Sequence, residues 1–485
     1  LLVEVRGEKD QNLAMTTAAT IEAQREYGTK VTAVEPGGVE FISLDERHGS
    51  PIQLAWTWAS PNMEFATVFV GVIGVAFFGL SFWMATLAII VGTALGAISQ
   101  GVLSTWGPKH GLPQMVIGRS AFGFLGNILP AGLNAVTAGI GWFAVNSVSG
   151  ALALNTLLQI PKPLSLLIVV AAELGIAFFG HNLVQIFERY AFPVLAVIFV
   201  IACITILGKS HPGAHASGGI PTIGGFLIEV GGAFGYAAGW NPYASDYTRY
   251  LKPDVASKAV SLYAGAGIFF SCTILEIVGA ASVTIPGANA DASPTSQFTH
   301  SMPTFIADIT LLAIALGAIS ANALNVYSGA MSFLATGIKL PVPAPRAVIA
   351  LVFGGLGLIL AFTGLHDAGS KYENFLLVIA YWIGPWLGVV LVDRWLRRKS
   401  LGVVNELASS KSYQNWAGPI AMAVGMVVSI WLFSDQTQYT AYIPKHHPAV
   451  GDITFEVGFV IAAALYWALF SAFSGAQETS SKLIR

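Results

Sequence analysis

The sequence predicts an all-α, polytopic membrane protein of about twelve spanning helices, and three observations carry that reading. Of 485 residues, 54% are hydrophobic and only 10% are charged, with a mean hydropathy of +0.67. A water-facing surface of this size needs about a quarter charged residues. The charges gather between apolar runs, each near the roughly 20 residues that cross ~30 Å of hydrocarbon as a helix. Lipid offers the backbone no hydrogen-bond partner, so continuous runs of this length are helices rather than strands. Lys and Arg, finally, fall unequally on the two sides of those runs.

In order, the runs are 53–75, 82–104, 125–155, 163–180, 187–208, 221–245, 260–284, 303–336, 346–363, 373–394, 416–434 and 455–474. With the N-terminus inside, twenty of the 24 Lys and Arg lie on the inner side, and Lys162, Lys209, Lys371 and Lys445 lie outside. That bias predicts cytoplasmic termini in a cell or plasma membrane. The chain divides into a tail of residues 1–52, a membrane domain of 53–475 and a tail of 476–485. Residues 1–50 are polar throughout and contain no run of signal-peptide type. Met15 is a candidate start residue, which would set residues 1–14 apart from the native chain.

Three runs are interrupted by residues a simple helix avoids. The first holds Ser60-Pro61-Asn62 followed by Glu64, and the sixth holds Gly239-Trp240-Asn241-Pro242. The eighth holds Ser320, Asn322, Asn325 and Ser328. A proline in a helix removes a backbone bond, and in lipid the freed groups must find partners or line a cavity. Paired interruptions in two halves of a chain point to a binding site at the membrane midplane. Pro61 and Pro242 are 181 positions apart, Trp58 and Trp240 are 182 apart, and Asn146 and Asn325 are 179 apart. Such offsets suit two five-helix repeats, at about 53–208 and 221–394, with extra helices at 416–434 and 455–474.

Five segments then occur in order: GPKHGLPQMVIGRSAFG (107–123), GWFAVNS (141–147), GWNPYASDYTRY (239–250), NVYSGAMS (325–332) and YENFLLVIAYWIGPWLGVVLVD (372–393). Together they resemble the nucleobase:cation symporter family of purine, cytosine, uracil, allantoin, hydantoin and thiamine permeases, from about residue 40 to 475. The resemblance implies the leucine-transporter-type fold, two inverted five-helix repeats plus two C-terminal helices. It also implies symport of one flat heterocycle with H⁺ or Na⁺ by alternating access, with no cofactor. In that family the ring is held between a Trp of the third helix and a Trp of the sixth, which match Trp142 and Trp240. Amides of the third and eighth helices bond its edge, matching Asn146 and Asn325. Asn at the third-helix position is more like the purine–cytosine branch than the hydantoin branch, which has Gln there.

The residues themselves fit a planar substrate. Aromatic faces stack a ring, and an Asn amide offers an acceptor and two donors in one plane. Trp142 and Asn146 are four apart and share a helix face, while Asn322, three before Asn325, is a further candidate contact. For a lone Trp in a span, packing or anchoring at the interface is the commoner role. Buried acids are costly, which makes Glu64, just past the first interruption, a candidate for coupling to the cation. Asn62 and Ser320 join it. Sodium-coupled relatives show two adjacent hydroxyls in the eighth helix; here Ile319 stands at the first, leaving Ser320 alone.

Other classes fit less well. An intramembrane enzyme needs a reactive constellation, and nearly all nine histidines fall in tails and loops. No HExxH, GxSxG or GxGxxG-helix context occurs. A channel would show pore loops or charged rings. Cys203 and Cys272 lie within runs, which argues against a disulfide framework, and a net charge of −2 gives no footprint for nucleic acid. Within transporters the alternatives are an allantoin, hydantoin or uracil permease, then an amino-acid permease of the same fold.

Overall fold

The computed structural model describes residues 34, 38–213, 222–287, 293–338, 340, 344–365, 368–436 and 438–473. The distal tails, including Met15 and the basic residues Arg6, Lys9, Arg25, Lys30, Lys482 and Arg485, lie outside the described residues. Among those described, eight helices are long and apolar enough to cross a membrane, and one bent pair makes a further crossing. Span 1 is that pair, Gln53–Asn62 and Phe65–Ala76, bent by 58°. Span 2 is Phe82–Ser104, span 3 Ile128–Leu158, span 4 Lys162–Phe179 and span 5 His181–Lys209. Span 6 is Thr222–Ala238, continued beyond a break by Ala244–Thr248. Spans 7 to 10 are Ser257–Val283, Thr304–Ala335, Pro345–Gly364 and Ala368–Leu396. The shorter helices Ala417–Phe433 and Thr454–Phe473 are spans 11 and 12.

Two groups of four helices organise the molecule. Spans 1, 2, 6 and 7 pack on one another, as do spans 3, 4, 8 and 9, while span 5 touches both groups and spans 10, 11 and 12 pack together beside span 6. Between apolar helices in lipid, close backbone approach replaces the hydrophobic drive of water, and small residues permit it. Gly71 of span 1 shows how close: a Cβ there would stand 1.7 Å from the carbonyl oxygen of Glu276 on span 7. Gly279 reciprocates, with a Cβ position 1.8 Å from the Val68 carbonyl oxygen.

Spans 1 and 6 break in the same way. Pro61 and Pro242 each occupy the middle of a three-residue 3-10 turn, Ser60–Asn62 and Asn241–Tyr243. After Pro61 the chain swings out at Met63 and Glu64, the latter fully extended at φ −149°, ψ 175°. Freed backbone groups find side chains: Thr67 donates to the Asn62 carbonyl and Asn62 Nδ2 donates to the Trp58 carbonyl.

Span 8 corrects the expectation of a third interruption. It is one continuous helix of 32 residues. Ser320, Asn322, Asn325 and Ser328 are all buried, and the stretch lacks the proline that opens spans 1 and 6, so polar side chains turn inward without breaking the backbone. Span 3 instead departs from regularity, through a wide π-helical turn over Thr137–Trp142. There Gly139 meets Gly329 of span 8 almost backbone to backbone, a Cβ on Gly329 falling 2.7 Å from the Gly139 Cα.

At one end of the bundle residues 38–50 form a strap. Ile42 N–H donates to the Gly111 carbonyl, His48 N–H to the Tyr250 carbonyl, and Arg47 Nη1 to the Pro108 carbonyl. Arg249 donates back to the carbonyls of Gly38 and Glu40, and Gly38 lies against Leu334 of span 8. The strap thus touches both four-helix groups.

Candidate functional site

The breaks of spans 1 and 6 meet at mid-bundle beside the π turn of span 3. Trp142, Asn146, Tyr236, Gly239, Trp240 and Asn325 line one small cavity of about 10 Å³. Four of these are residues singled out in the sequence, drawn from spans 3, 6 and 8. Trp142 closes the π turn, a wide turn of the kind that often marks functional positions. Its ring packs on Gly239, where an added Cβ would stand 3.3 Å from Trp142 Cζ2. Tyr236 sits one turn before Trp240 and meets the Trp142 edge at 5.5 Å and 82°.

Trp240 is held from span 1. Its Nε1–H donates to Asn62 Oδ1 at 2.9 Å, while Asn62 Nδ2 is spent on the Trp58 carbonyl at 2.6 Å. Trp58 and Tyr243 brace the same indole edge-on, at 6.0 and 5.7 Å. Asn62 therefore stands with the aromatic wall. Glu64 is close by, its Oε1 3.3 Å from the Tyr236 hydroxyl, which also lies within hydrogen-bond distance of Thr67 Oγ1.

The amides form a second wall. Asn146 Nδ2 donates to Asn322 Oδ1 at 3.2 Å, and Asn325 Nδ2 approaches the same oxygen at 3.5 Å. Tyr243 donates its hydroxyl to Asn325 Oδ1 at 3.2 Å. Asn322 lies behind the cavity, bracing the two amides that face it. It donates to the Phe143 carbonyl at 2.8 Å and to Ser147 Oγ at 3.0 Å, and Ser147 in turn donates to Glu173 Oε2 at 2.7 Å.

Ser320 belongs to a separate cluster. Its hydroxyl donates to Glu188 Oε2 at 2.6 Å and lies 3.3 Å from Ser60 Oγ in the span 1 break. Glu188 is fully buried. The apolar run in the sequence starts at 187, whereas the helix begins at His181 and carries Glu188 inside. Tyr236 could have been found from its spacing, four before Trp240 on a helical face. Glu173 and Ser147 carried no signal that ranked them above other buried polar residues. Asp246 accepts the Gln114 backbone N–H at 2.9 Å, away from the cavity.

Beyond Trp142, towards the end opposite the strap, opens a wider cavity of about 340 Å³. Phe65, Phe69, Tyr372 and Phe375 line it, and Phe375 meets Trp142 at 5.0 Å and 81°.

Two broken helices crossing at a small aromatic and amide-lined cavity, inside two interlocked four-helix groups, define a secondary transporter of the broken-helix kind rather than an enzyme. Residues 42–458 match the profile of the family described as permease for cytosine/purines, uracil, thiamine, allantoin. The chain belongs to that family. It is similar to the putative purine-cytosine permease YxlA of Bacillus subtilis, at 29% identity over 93% of this chain and 100% of that one. The purine-cytosine permease fcyB of Emericella nidulans is 27% identical, over 90% of this chain and 88% of that one. Its fold is shared with Mhp1, a nucleobase-cation-symport-1 family transporter solved closed with bromovinylhydantoin bound, with a TM-score of 0.69 at 19% identity, covering 90% and 96% of the two chains.

Proposed function

We propose that the protein imports a purine or cytosine by symport with a cation, H⁺ or Na⁺, through alternating access. The observation that carries this reading is the convergence of Trp142, Trp240, Asn146 and Asn325 on one cavity. Two indoles supply faces for a planar ring and two amides supply its edge contacts. In this reading the wider cavity is the outer approach and the strap closes the cytoplasmic end, as the excess of inner Lys and Arg requires. The purine-cytosine names of the relatives support the choice of substrate, as does Asn rather than Gln at position 146. The cation is taken up at the span 1 break, where Glu188 meets Ser60 and Ser320 and where Glu64 lies by the Tyr236 hydroxyl. Carboxyls buried this deeply need a cation or a proton to balance them.

Uptake of labelled cytosine, adenine, allantoin and uracil into cells lacking their own permeases tests the substrate. Cytosine and adenine should accumulate and compete with each other. Proteoliposomes with an imposed pH or Na⁺ gradient then identify the cation. Accumulation of allantoin or uracil alone overturns the substrate assignment, and equal rates under every gradient overturn symport.

A further inference from the structure

Resting on the reading of this cavity as a nucleobase site, we propose that Glu173 sets its hydrogen-bond polarity, although its carboxyl lies behind the cavity wall. Through Ser147 and Asn322, and together with the Phe143 carbonyl, it keeps the Asn146 carbonyl oxygen turned towards the substrate, and so selects a ring edge with an N–H there.

The argument begins at a backbone atom whose role is unambiguous. The Phe143 carbonyl can only accept, so the Asn322 atom 2.8 Å from it is the amide nitrogen. The second hydrogen of that nitrogen goes to Ser147 Oγ at 3.0 Å. Ser147 has one proton, and it is committed to Glu173 Oε2 at 2.7 Å, whether Glu173 accepts as a carboxylate or through the carbonyl oxygen of its acid form. Both donors of Asn322 are then spent, and its remaining function, Oδ1, is an acceptor. Asn146 must therefore point its NH₂ at Asn322, at 3.2 Å. The opposite rotamer would set two amide oxygens against each other.

A second observation points to a ligand. Asn146 is 2% exposed, it lines the cavity, and its Oδ1 has no hydrogen-bond partner. A buried carbonyl oxygen without a donor is costly unless something arrives to fill it. Asn325 has its Oδ1 occupied by the Tyr243 hydroxyl and gives one N–H to Asn322 Oδ1, which leaves its second N–H as a donor. The wall therefore presents an acceptor beside a donor. The complementary edge is an amidine, an exocyclic amine next to a ring nitrogen, as cytosine and adenine both carry. The amine gives its N–H to Asn146 Oδ1, and the ring nitrogen accepts from Asn325 Nδ2.

Glu173 earns its place by excluding an alternative. It works beside the Phe143 carbonyl: without an acceptor at 173 the Ser147 proton is free to donate to a flipped Asn322, which offsets part of what the flip loses at Phe143 and lets Asn146 reverse in a share of the molecules. Glu173 is thus a positioning residue, fully buried on span 4.

Isosteric ligand pairs test this. Binding to membranes carrying the full-length protein is measured by competition with labelled cytosine for adenine against 6-methylpurine, and for cytosine against 4-methyl-2-hydroxypyrimidine. Wild type should prefer the amine of each pair by about five- to 150-fold, the range for leaving a buried acceptor unfilled. Glu173→Gln keeps an acceptor oxygen and should keep the preference. Glu173→Leu should reduce it while binding of the methyl analogues holds or improves, a change that general loosening of the site does not produce. Glu173→Ala removes the acceptor with less bulk and should act likewise, which covers the case of Glu173→Leu failing to reach the membrane, whereas Ser147→Ala takes away the competing donor itself and should keep the preference. A wild-type preference undiminished in the Leu and Ala variants of Glu173 overturns the proposal. Absence of binding by any base to wild type would instead overturn the nucleobase reading beneath it.

Discussion

Replacing Asn62 by Ala separates two roles that its position allows. Its Oδ1 is the acceptor for Trp240 Nε1–H at 2.9 Å, and its Nδ2 fills the Trp58 carbonyl at 2.6 Å in the span 1 break. Asn62 is fully buried and Trp240 is 6% exposed, so water does not readily replace either partner. The truncation leaves an indole N–H unsatisfied at about 1–3 kcal/mol and frees the ring to turn. Nucleobase affinity should fall roughly five- to 150-fold if the ring is a stacking face. Trp240→Phe keeps a face and removes the N–H, leaving Asn62 Oδ1 idle. If Asn62 acts through Trp240, the double variant loses less than the sum of the single losses, by about 0.5–1.5 kcal/mol for one neutral hydrogen bond. The assay is substrate competition on membranes for the four proteins, normalised to protein at the surface, with cation dependence measured for each. Losses additive within about 0.5 kcal/mol, together with a changed cation dependence wherever Asn62 is absent, would refute the link to Trp240. Asn62 would then be serving the cation.

Gly239→Ala places a methyl 3.3 Å from Trp142 Cζ2, so it should cut nucleobase uptake with little change in surface expression; normal uptake would show that Trp142 has room to yield. Glu188→Gln retains an acceptor for Ser320 and removes the acid, so substrate should still bind while accumulation stops following the cation gradient. Persistence of gradient-driven accumulation would move coupling to Glu64. Gly279→Ala drives a Cβ to within 1.8 Å of the Val68 carbonyl oxygen and should prevent stable folding, whereas Gly175→Ala meets nothing within 4 Å and should be silent; the thermal stability of the two detergent-purified variants checks both.

The breaks leave a mark in the sequence, whereas the pairing of Trp142 with Trp240 and of Asn146 with Asn325 comes from the family resemblance, since a lone Trp in a span more often packs or anchors. Pro61 and Pro242 announce the breaks, and Trp142 and Asn146 share a face by spacing alone. What stayed hidden was direction. Ser320, Asn322 and Asn325 stand out as polar residues in an apolar run whether they break the helix or line its inner face, and the structure shows the second. The π turn at Thr137–Trp142 also leaves no plain signature, because its geometry coincides with a contact between Gly139 and Gly329, far apart in the chain. Glu188 is not singled out by a run that starts at 187, whereas the helix starts six residues earlier, at His181, and carries that carboxyl well inside. The bond from Trp240 to Asn62, a candidate for the cation, joins residues 178 positions apart and leaves no mark in the sequence.

The strap at residues 38–50 has a bearing on energetics as well as shape. Its bonds to Gly111, Pro108, Tyr250 and Arg249 each contribute about 0.5–1.5 kcal/mol, several kcal/mol together if they part as a unit. Those bonds fasten the strap to the ends of spans 2 and 6, while Gly38 lies against Leu334 of span 8, so parting the two four-helix groups at that end strips the Gly38–Leu334 contact and leaves the bonds in place. It precedes the first membrane-crossing residue. The rate at which the transporter cycles can therefore be retuned by changes in a short segment that touches neither the ring nor the cation.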